Sequence, residues 1–366
     1  MSTTTVTATA TATATATETQ PQGTVQGTVQ GKLRYLAPGH APKPSEHHGH
    51  FPDVAEFGDE RMMTLLSLRP LPLVHELPLW HHHAQLHTHG FTAVRHSTTL
   101  SQQQHGYNSF KDPQKLRQYL VPETVDMLKQ VTGCKTVVSD ILLLRNCVPT
   151  AVDSIAHADQ ATTPSAEMDF ELPRLVGFDS VHGGAAPANK IHLDYSTKGA
   201  RIYIRNFHPK VTEAAAGVIR HEDALTEAGA SLKETYGASG GPRWALYSVW
   251  RPLKTVRRDP LAAIDFTTVD DDDYVSFAVP AATQGGPDMG KPYAGEAFSA
   301  THSKRHQWYW IDSQTPEEVL ILRFFDSTAE GQSRTAGGVL HSSVELPGTA
   351  DQPARESIEL RCLCVW

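Results

Sequence analysis

Cysteine is scarce in this 366-residue sequence, and its placement excludes a disulfide scaffold. The four cysteines are Cys134, Cys147, Cys362 and Cys364, and none forms the paired C-x-x-C pattern of a zinc site. Cys362 and Cys364 lie on the same side of a predicted strand, which favours packing as small buried residues. This cysteine usage indicates a reducing compartment, and we expect a cytoplasmic protein.

Basic tracts, long apolar runs and nucleotide-binding glycine motifs are also missing. The formal net charge is −8 with the 20 histidines counted as neutral, which argues against nucleic acid as a partner. The longest apolar runs, such as "VLILRFF", are far shorter than the roughly 20 residues that span a bilayer. The chain also lacks a basic-then-apolar leader, a G-x-G-x-x-G motif and a P-loop. We therefore expect no nucleic-acid and no membrane partner.

The sequence divides into a low-complexity tail and one larger globular part. Residues 1–31, which include "TTTVTATATATATATET" and "GTVQGTVQG", cannot bury a core and are predicted to be disordered. Residues 32–366 are predicted to form a single domain, with a helical and extended part to about residue 150 and a core from about residue 134 to 366.

Helix signals come mainly from the first half of that domain. Asp112 is the expected N-cap of a helical pair, with Pro113 in its first turn, Pro122 opening the second helix and Gly133 ending it. The stretch "CKTVVSDILLLR" is typical of a strand, and residues 213–237 are predicted to be helical. Residues 145–190 and 281–305 are predicted to be loops that shape the pocket.

Short apolar runs dominate the chain after Gly241. Separated by turn-forming residues, they are "RWALYSVW", "LAAIDF", "YVSFAV", "HQWYWI", "EVLILRFF", "GVLHSSV" and "RESIELRCLCVW". Many short strands at this spacing are typical of a β-sandwich or barrel. The predicted class is therefore α+β, with helices buttressing one sheet.

The stretch "NKIHLDYSTKG" contains a candidate metal-binding pair. On a strand, His192 and Asp194 would point to the same face and present an imidazole and a carboxylate to one metal ion. The 2-His-1-carboxylate triad of non-haem iron enzymes needs this pair and one further histidine. By itself the pair is better explained by chance in a chain with 20 histidines.

Two downstream features favour the metal interpretation. His341 lies in a strand-like stretch, "GGVLHSSVEL", and Arg355 and Ser357 follow on another predicted strand. An arginine two residues before a serine, after the distal histidine, is typical of 2-oxoglutarate oxygenases. The guanidinium offers a bidentate fork to a carboxylate, and the hydroxyl donates one more hydrogen bond.

The last predicted strand has one polar and one apolar face. Arg355, Ser357, Glu359 and Arg361 alternate with an apolar set that begins at Ile358. The polar face could meet solvent, but we favour its pointing into a barrel lumen as a ligand pocket. Arg361 is then a competing anchor for the co-substrate carboxylate.

Several stretches together resemble the fungal hydroxylase/desaturase family that includes the gibberellin desaturase and AsaB-type tailoring enzymes. They are "LHTHGFTAVRHSTTL", "IHLDYS", "RWALYSVWRPL", "PLAAIDF", "HQWYWIDSQTPEEVLILRFFDS" and "RESIELRCLCVW", spanning residue 86 to the C-terminus. The resemblance implies a double-stranded β-helix (jelly-roll) core, Fe(II), 2-oxoglutarate and O₂ as co-substrates, and tailoring of a small-molecule substrate in secondary metabolism. It implies iron on His192, Asp194 and His341, with 2-oxoglutarate on Arg355 and Ser357.

Three further residues are weaker candidates for substrate binding. Arg251 could hold an acidic substrate, and a surface ion pair explains it equally well. His306 and Trp308 could line the pocket, although a packed aromatic strand face is the favoured interpretation. The cluster "HHHAQLHTH" at residues 81–89 is a rival metal site, but it lacks the glutamate of H-E-x-x-H and is more typical of a solvated loop.

Two alternatives to a 2-oxoglutarate-dependent dioxygenase remain open at this point. An iron oxidase of the same fold could use O₂ without 2-oxoglutarate, with Arg355 and Ser357 holding a substrate carboxylate instead. A non-catalytic binding protein is the other, and the complete set of His192, Asp194 and His341 argues against it. The sequence names no substrate and does not separate hydroxylation from desaturation or cyclisation.

Overall fold

A computed structural model describes most of the domain and none of the low-complexity tail before Thr28. The described residues are 28–46, 49–68, 86–102, 105–148, 172–178, 184–238, 240–330 and 336–366. The predicted disorder of residues 1–27, the histidines at 81–83 and most of the predicted 145–190 loop lie outside them. The first strand begins at Thr28, so the tail boundary predicted at residue 31 falls inside a strand.

The described residues form thirteen strands. They are β1 Thr28–Tyr35, β2 Asp59–Ser67, β3 Phe91–Arg95, β4 Thr136–Arg145, β5 Arg174–Val176, β6 Trp244–Pro252, β7 Leu261–Ile264, β8 Tyr274–Ala282, β9 Pro292–Ala300, β10 Trp308–Trp310, β11 Glu318–Asp326, β12 His341–Ser343 and β13 Ser357–Val365.

The helices are fewer than the strands among the described residues. They are α1 Pro113–Lys115, α2 Val121–Thr132, α3 Thr197–Asn206, α4 Pro209–Ala214, α5 Ala216–Glu227, α6 Leu232–Gly237 and α7 Ser327–Glu330, with a π-helical turn at Leu116–Leu120. Single 3₁₀ turns lie at Val54–Glu56, Thr99–Ser101, Tyr107–Lys111, Phe266–Thr268 and Asp271–Asp273. None of these helices has the length and apolar composition that a membrane crossing requires.

Two large sheets enclose the main core. One sheet has the strand order β1-β2-β10-β7-β12 and the other β3-β11-β6-β13-β4-β5, while β8 and β9 pair as a separate ribbon. Their inner faces supply one continuous apolar cluster, with Leu33 and Trp308 from the first sheet and Trp250 and Leu322 from the second. This two-sheet arrangement, covered by helices, agrees with the predicted sandwich or barrel.

Helix α2 packs on the outer face of the six-stranded sheet, as a buttress. Leu128 of the helix belongs to a second apolar cluster with Val249, Ile358 and Leu360 of β6 and β13. Gly133 ends the helix in a left-handed conformation with φ 73°, which glycine adopts without a steric penalty. The predicted cap is therefore confirmed, but the predicted pair of helices is one run, because the π-turn joins α1 directly to α2.

One element next to the candidate metal pair differs from the predictions, and a second was not predicted. Residues 281–305 were expected to be loop, yet β9 pairs with β8 along its whole length. The strand was missed because β9 is rich in alanine and contains a glycine, and both residues have low strand propensity. Helix α3 begins directly after the pair, with the Ser196 side chain accepting from the backbone N–H of Gly199. Only glycine fits at position 199, because a Cβ atom there would overlap the Glu296 carbonyl of β9.

Candidate functional site

Backbone bridges bring His192 beside His341, although 149 residues separate them in the sequence. The His192 N–H donates to the His341 carbonyl at 3.1 Å, and the His341 N–H returns a bond to the His192 carbonyl at 2.9 Å. The next residue, Leu193, pairs in the same way with Phe298. The predicted strand at 192–194 is therefore an extended segment with isolated bridges, which still places His192 and Asp194 on one side.

The three predicted ligands converge on one point. The Asp194 Oδ2 atom lies 3.4 Å from His341 Nε2 and 3.9 Å from His192 Nε2. One ligand atom from each residue lies within 4.8 Å of the other two, and all three side chains are buried. Two imidazole nitrogens and a carboxylate oxygen form a donor set suited to a first-row transition metal.

Both imidazoles present Nε2 to this point because their other ring nitrogens are engaged. His192 Nδ1 lies 2.7 Å from the Lys190 carbonyl, and His341 Nδ1 lies 3.3 Å from the Val339 carbonyl. A ring that donates from Nδ1 carries its lone pair on Nε2, which is the form that binds a metal ion. Burial lowers the pKa of both imidazoles, and for His192 the neighbouring His341 adds to the effect, so both rings are held neutral.

The Asp194 carboxylate is held by an arginine on one oxygen. Its Oδ1 atom lies 2.6 Å from Arg361 Nη2, whereas no described residue donates a hydrogen bond to Oδ2, which faces the two histidines. Burial raises the pKa of this carboxyl, and the Arg361 charge opposes that shift. A buried carboxylate oxygen without a donor, set between two imidazole Nε2 atoms, fits a metal ligand.

Arg361 therefore lies in a network beside the three predicted metal ligands. Its Nε donates to Glu359 at 3.1 Å, and its guanidinium lies over the Phe324 ring, which stacks on His341 with centroids 5.2 Å apart. Burial would raise the pKa of Glu359, but Arg361 and Arg145 hold it below its ordinary value. With these contacts the Arg361 guanidinium faces protein carboxylates, in contrast to its predicted role as a competing co-substrate anchor.

A polar cavity opens next to the three ligands. It lies between the two sheets, and its space together with the solvent at its mouth amounts to about 350 Å³. Its lining combines charged, hydroxyl and apolar side chains: Arg145, Ala188, His192, Ser248, Trp250, Leu261, Leu322, His341, Ser343, Arg355 and Glu359. The polar face predicted for the last strand thus points inward, as the lumen interpretation expected.

Arg355 and Ser357 carry donors that the described residues do not satisfy. The Arg355 Nη1 donates to the Asp259 carbonyl at 2.7 Å, and the guanidinium lies 5.1 Å from the centroid of the Trp250 ring. The Arg355 Nε and the Ser357 Oγ are buried and have no hydrogen-bond partner among the described residues. Burial, reinforced by the nearby Arg145, lowers the pKa of Arg355 to about 9. This environment favours an incoming anion.

Arg251, one of the three weaker candidates, does not line this cavity. It is 2% exposed, and its Nη1 donates to the carbonyls of His96 and Pro316, each at 2.7 Å. Its Nη2 lies 2.6 Å from the His96 ring. The side chain ties β6 to two connecting segments, which accounts for it without either the predicted ligand or a surface ion pair.

Replacing Arg251 with glutamine is expected to lower the free energy of unfolding by about 3 kcal/mol, because buried carbonyls lose a charged donor. The loss is measured by chemical denaturation, and binding of small ligands to the folded protein is expected to remain unchanged. A stable variant with weakened ligand binding would instead return Arg251 to the site.

His306 and Trp308 also lie outside the cavity lining. His306 Nδ1 is 3.1 Å from the Tyr35 hydroxyl and its Nε2 is 3.2 Å from Asp273 Oδ2, while Trp308 Nε1 donates to the same hydroxyl at 2.8 Å. The Tyr35 and His306 rings stack with centroids 5.6 Å apart. This is the packed aromatic strand face that was favoured over a substrate-binding role.

Arg145 is the charged residue of the cavity lining that sequence reasoning missed. It is the last residue of β4 and lies directly opposite Ser357 of β13 across the antiparallel ladder. Opposite residues of such a pair point to the same face. The stretch "DILLLR" did show an arginine closing an apolar strand, but the pairing that places it at the cavity is visible only in the fold.

Comparison with known proteins places the chain among fungal oxidoreductases. The family model described as "Oxidoreductase/YMDC permease-like domain" matches residues 72–223 and 220–365. Oxidoreductase chry3 of Gibberella zeae is 34% identical over 375 residues, covering 92% of this chain and 97% of that protein. The gibberellin cluster GA4 desaturase of Gibberella fujikuroi is 33% identical over 288 residues, covering 76% of this chain and 81% of that protein.

A solved structure shows the same fold. The iron and alpha-ketoglutarate-dependent endoperoxidase NvfI superposes with a TM-score of 0.56 over 93% of this chain and 98% of that chain, at 19% identity. More distant sequence relatives are named hydroxylase/desaturase or alpha-ketoglutarate-dependent dioxygenase. The chain therefore belongs to the fungal hydroxylase/desaturase family of oxidoreductases, whose members include alpha-ketoglutarate-dependent dioxygenases.

Proposed function

We propose that this enzyme is a non-haem dioxygenase that uses Fe(II), 2-oxoglutarate and O₂ to hydroxylate or desaturate a small molecule. The observation that carries the proposal is the buried triad of His192, Asp194 and His341 beside a cavity that also contains the unsatisfied Arg355. Relatives named desaturase and alpha-ketoglutarate-dependent dioxygenase support the reaction class. Two relatives are named for a gene cluster or a biosynthesis, the gibberellin cluster GA4 desaturase and the aspirochlorine biosynthesis protein N. A jelly-roll core and tailoring in secondary metabolism belong to the same proposal.

The triad residues would hold the iron. Two neutral imidazoles and one carboxylate on one side of an ion form the facial triad, which leaves positions open for other ligands. When bound, iron with 2-oxoglutarate and O₂ supplies the oxidising power for removing hydrogen from an unactivated C–H bond. Arg361 would keep Asp194 ionised and hold its outer oxygen, so that Oδ2 stays directed at the metal.

Arg355 and Ser357 would hold the distal carboxylate of 2-oxoglutarate. The guanidinium supplies a charged fork and the serine hydroxyl one more donor, and both have buried atoms with spare hydrogen-bonding capacity. Charged hydrogen bonds strengthen where water is excluded, and the Trp250 ring lies against the Arg355 guanidinium. The site thus orients the co-substrate with its keto acid end toward the triad.

Anaerobic titration of the Fe(II)-loaded protein with 2-oxoglutarate tests the proposal. We expect one iron per chain and a weak metal-to-ligand charge-transfer band in the visible spectrum when 2-oxoglutarate is added. Iron binding without that band would favour the oxidase that does not use 2-oxoglutarate. No iron binding would favour the non-catalytic binding protein.

A further inference from the structure

Arg145 and Arg355 form a pair of buried guanidinium groups on one wall of the cavity. Arg145 is 6% exposed and Arg355 is 4% exposed, and both line the space that His192 and His341 also line. Glu359 is the one carboxylate in that lining, and its Oε1 accepts from Arg361 Nε at 3.1 Å. The charge of Arg145 also helps to hold the pKa of Glu359 low, so this carboxylate offsets part of the positive charge of the wall. Two guanidinium groups against one carboxylate leave the lining net positive, which favours an anion that both arginines can share.

The strand register fixes where such an anion would lie. Arg145 is directly opposite Ser357 on β13, and Arg355 precedes that serine by two residues. Ser357 therefore neighbours Arg145 across the ladder and Arg355 along the strand. Its buried Oγ has no hydrogen-bond partner among the described residues. Arg145 is braced in place by donation from its Nη1 to the Ala186 carbonyl.

We propose that Arg145 is a second anchor for the distal carboxylate of the co-substrate, which it shares with Arg355 across Ser357. The inference rests on the proposed use of 2-oxoglutarate and adds to it a specificity device. A keto acid with a second carboxylate at the far end brings an acceptor and a negative charge to both guanidinium groups, whereas a keto acid without one brings neither. The pair thus selects a dicarboxylic keto acid over a shorter or monocarboxylic one.

The test compares two keto acids that share the chelating end and differ in the distal carboxylate, 2-oxoglutarate and 2-oxobutyrate. Both are titrated anaerobically into the Fe(II)-loaded protein, with the charge-transfer band as the readout of binding. Arg145→Gln is expected to weaken 2-oxoglutarate binding by about tenfold or more, since a charged hydrogen bond is lost. Binding of 2-oxobutyrate is expected to stay unchanged.

Arg220→Gln, at an exposed arginine of α5, is the matched control for the loss of one positive charge, and both affinities should remain at the wild-type level. Arg145→Lys keeps the charge without the planar fork and is expected to weaken 2-oxoglutarate alone. If Arg145→Gln does not fold, the same titrations are carried out with Arg145→Lys.

Three results would overturn the inference, and they are distinguishable. Unchanged 2-oxoglutarate affinity in Arg145→Gln or Arg145→Lys removes Arg145 from the carboxylate site and leaves the proposed function intact. Equal weakening of both keto acids shows that Arg145 acts on the chelating end or on the fold. A wild-type protein that binds iron but shows no band with 2-oxoglutarate overturns the co-substrate itself.

Discussion

Replacing His341 with alanine is expected to abolish turnover and to weaken Fe(II) binding by more than about 100-fold. The reason is geometric, because His341 Nε2 is one of three ligand atoms grouped around a single point. Loss of a mere hydrogen-bond partner of a metal ligand weakens affinity by about 10–100-fold, and loss of the ligand itself should exceed that. The measurement is equilibrium dialysis against Fe(II) under anaerobic conditions, followed by iron analysis of the protein.

His87→Ala is the matched control for this experiment. His87 is exposed and belongs to the histidine-rich stretch that rivals the triad as a metal site. We expect one iron per chain and full turnover in this variant. Retained iron in His341→Ala together with loss in His87→Ala would move the metal centre to the histidine-rich stretch.

Replacing Arg355 with glutamine is expected to raise the 2-oxoglutarate concentration needed for half-saturation by about 100-fold, because two charged hydrogen bonds to a buried carboxylate are lost. Iron stoichiometry should not change, since Arg355 touches none of the three ligands and its one bonded partner is the Asp259 carbonyl. The measurement is the anaerobic titration of Fe(II)-loaded protein with 2-oxoglutarate.

Arg361→Gln is the contrasting variant. Because Arg361 contacts Asp194 at 2.6 Å, it should weaken iron binding by about tenfold or more and leave 2-oxoglutarate affinity unchanged at saturating iron. The reverse pattern, with 2-oxoglutarate affinity lost at Arg361 and kept at Arg355, would assign the anchor to Arg361. Weakened iron binding thus identifies the role of Arg361, and weakened 2-oxoglutarate binding identifies the role of Arg355.

The pairing of His192 with Asp194 could be predicted because it depends on short-range spacing and on residue type, whereas His341 was assigned from the arginine-serine pattern that follows it and from the family resemblance. An H-x-D pair places two side chains on one face of any extended segment, whether or not it belongs to a sheet. His192 and Asp194 meet that condition in a segment held by isolated bridges to His341 and Phe298. The alternation of side chains along a strand likewise predicted that Arg355 and Glu359 lie on the face opposite the apolar one, and both line the cavity.

Contacts between distant strands could not be predicted in the same way. Arg145 reaches the cavity because β4 pairs with β13 in one particular register, and a shift by a single residue would turn it to the other face. Arg361 was placed on the correct face, but its partner, Asp194, lies on a different segment. Arg251 was a candidate for holding an acidic substrate, but in the fold it is buried and donates to the backbone carbonyls of His96 and Pro316.

The most direct test of the site is a crystal structure of the wild-type protein grown anaerobically with Fe(II) and 2-oxoglutarate, with anomalous data at the iron edge. We predict one iron peak between His192, Asp194 and His341, and a dicarboxylate that extends from it to Arg355. An iron peak at the histidine-rich stretch, or a distal carboxylate bound at Arg361, would contradict the account.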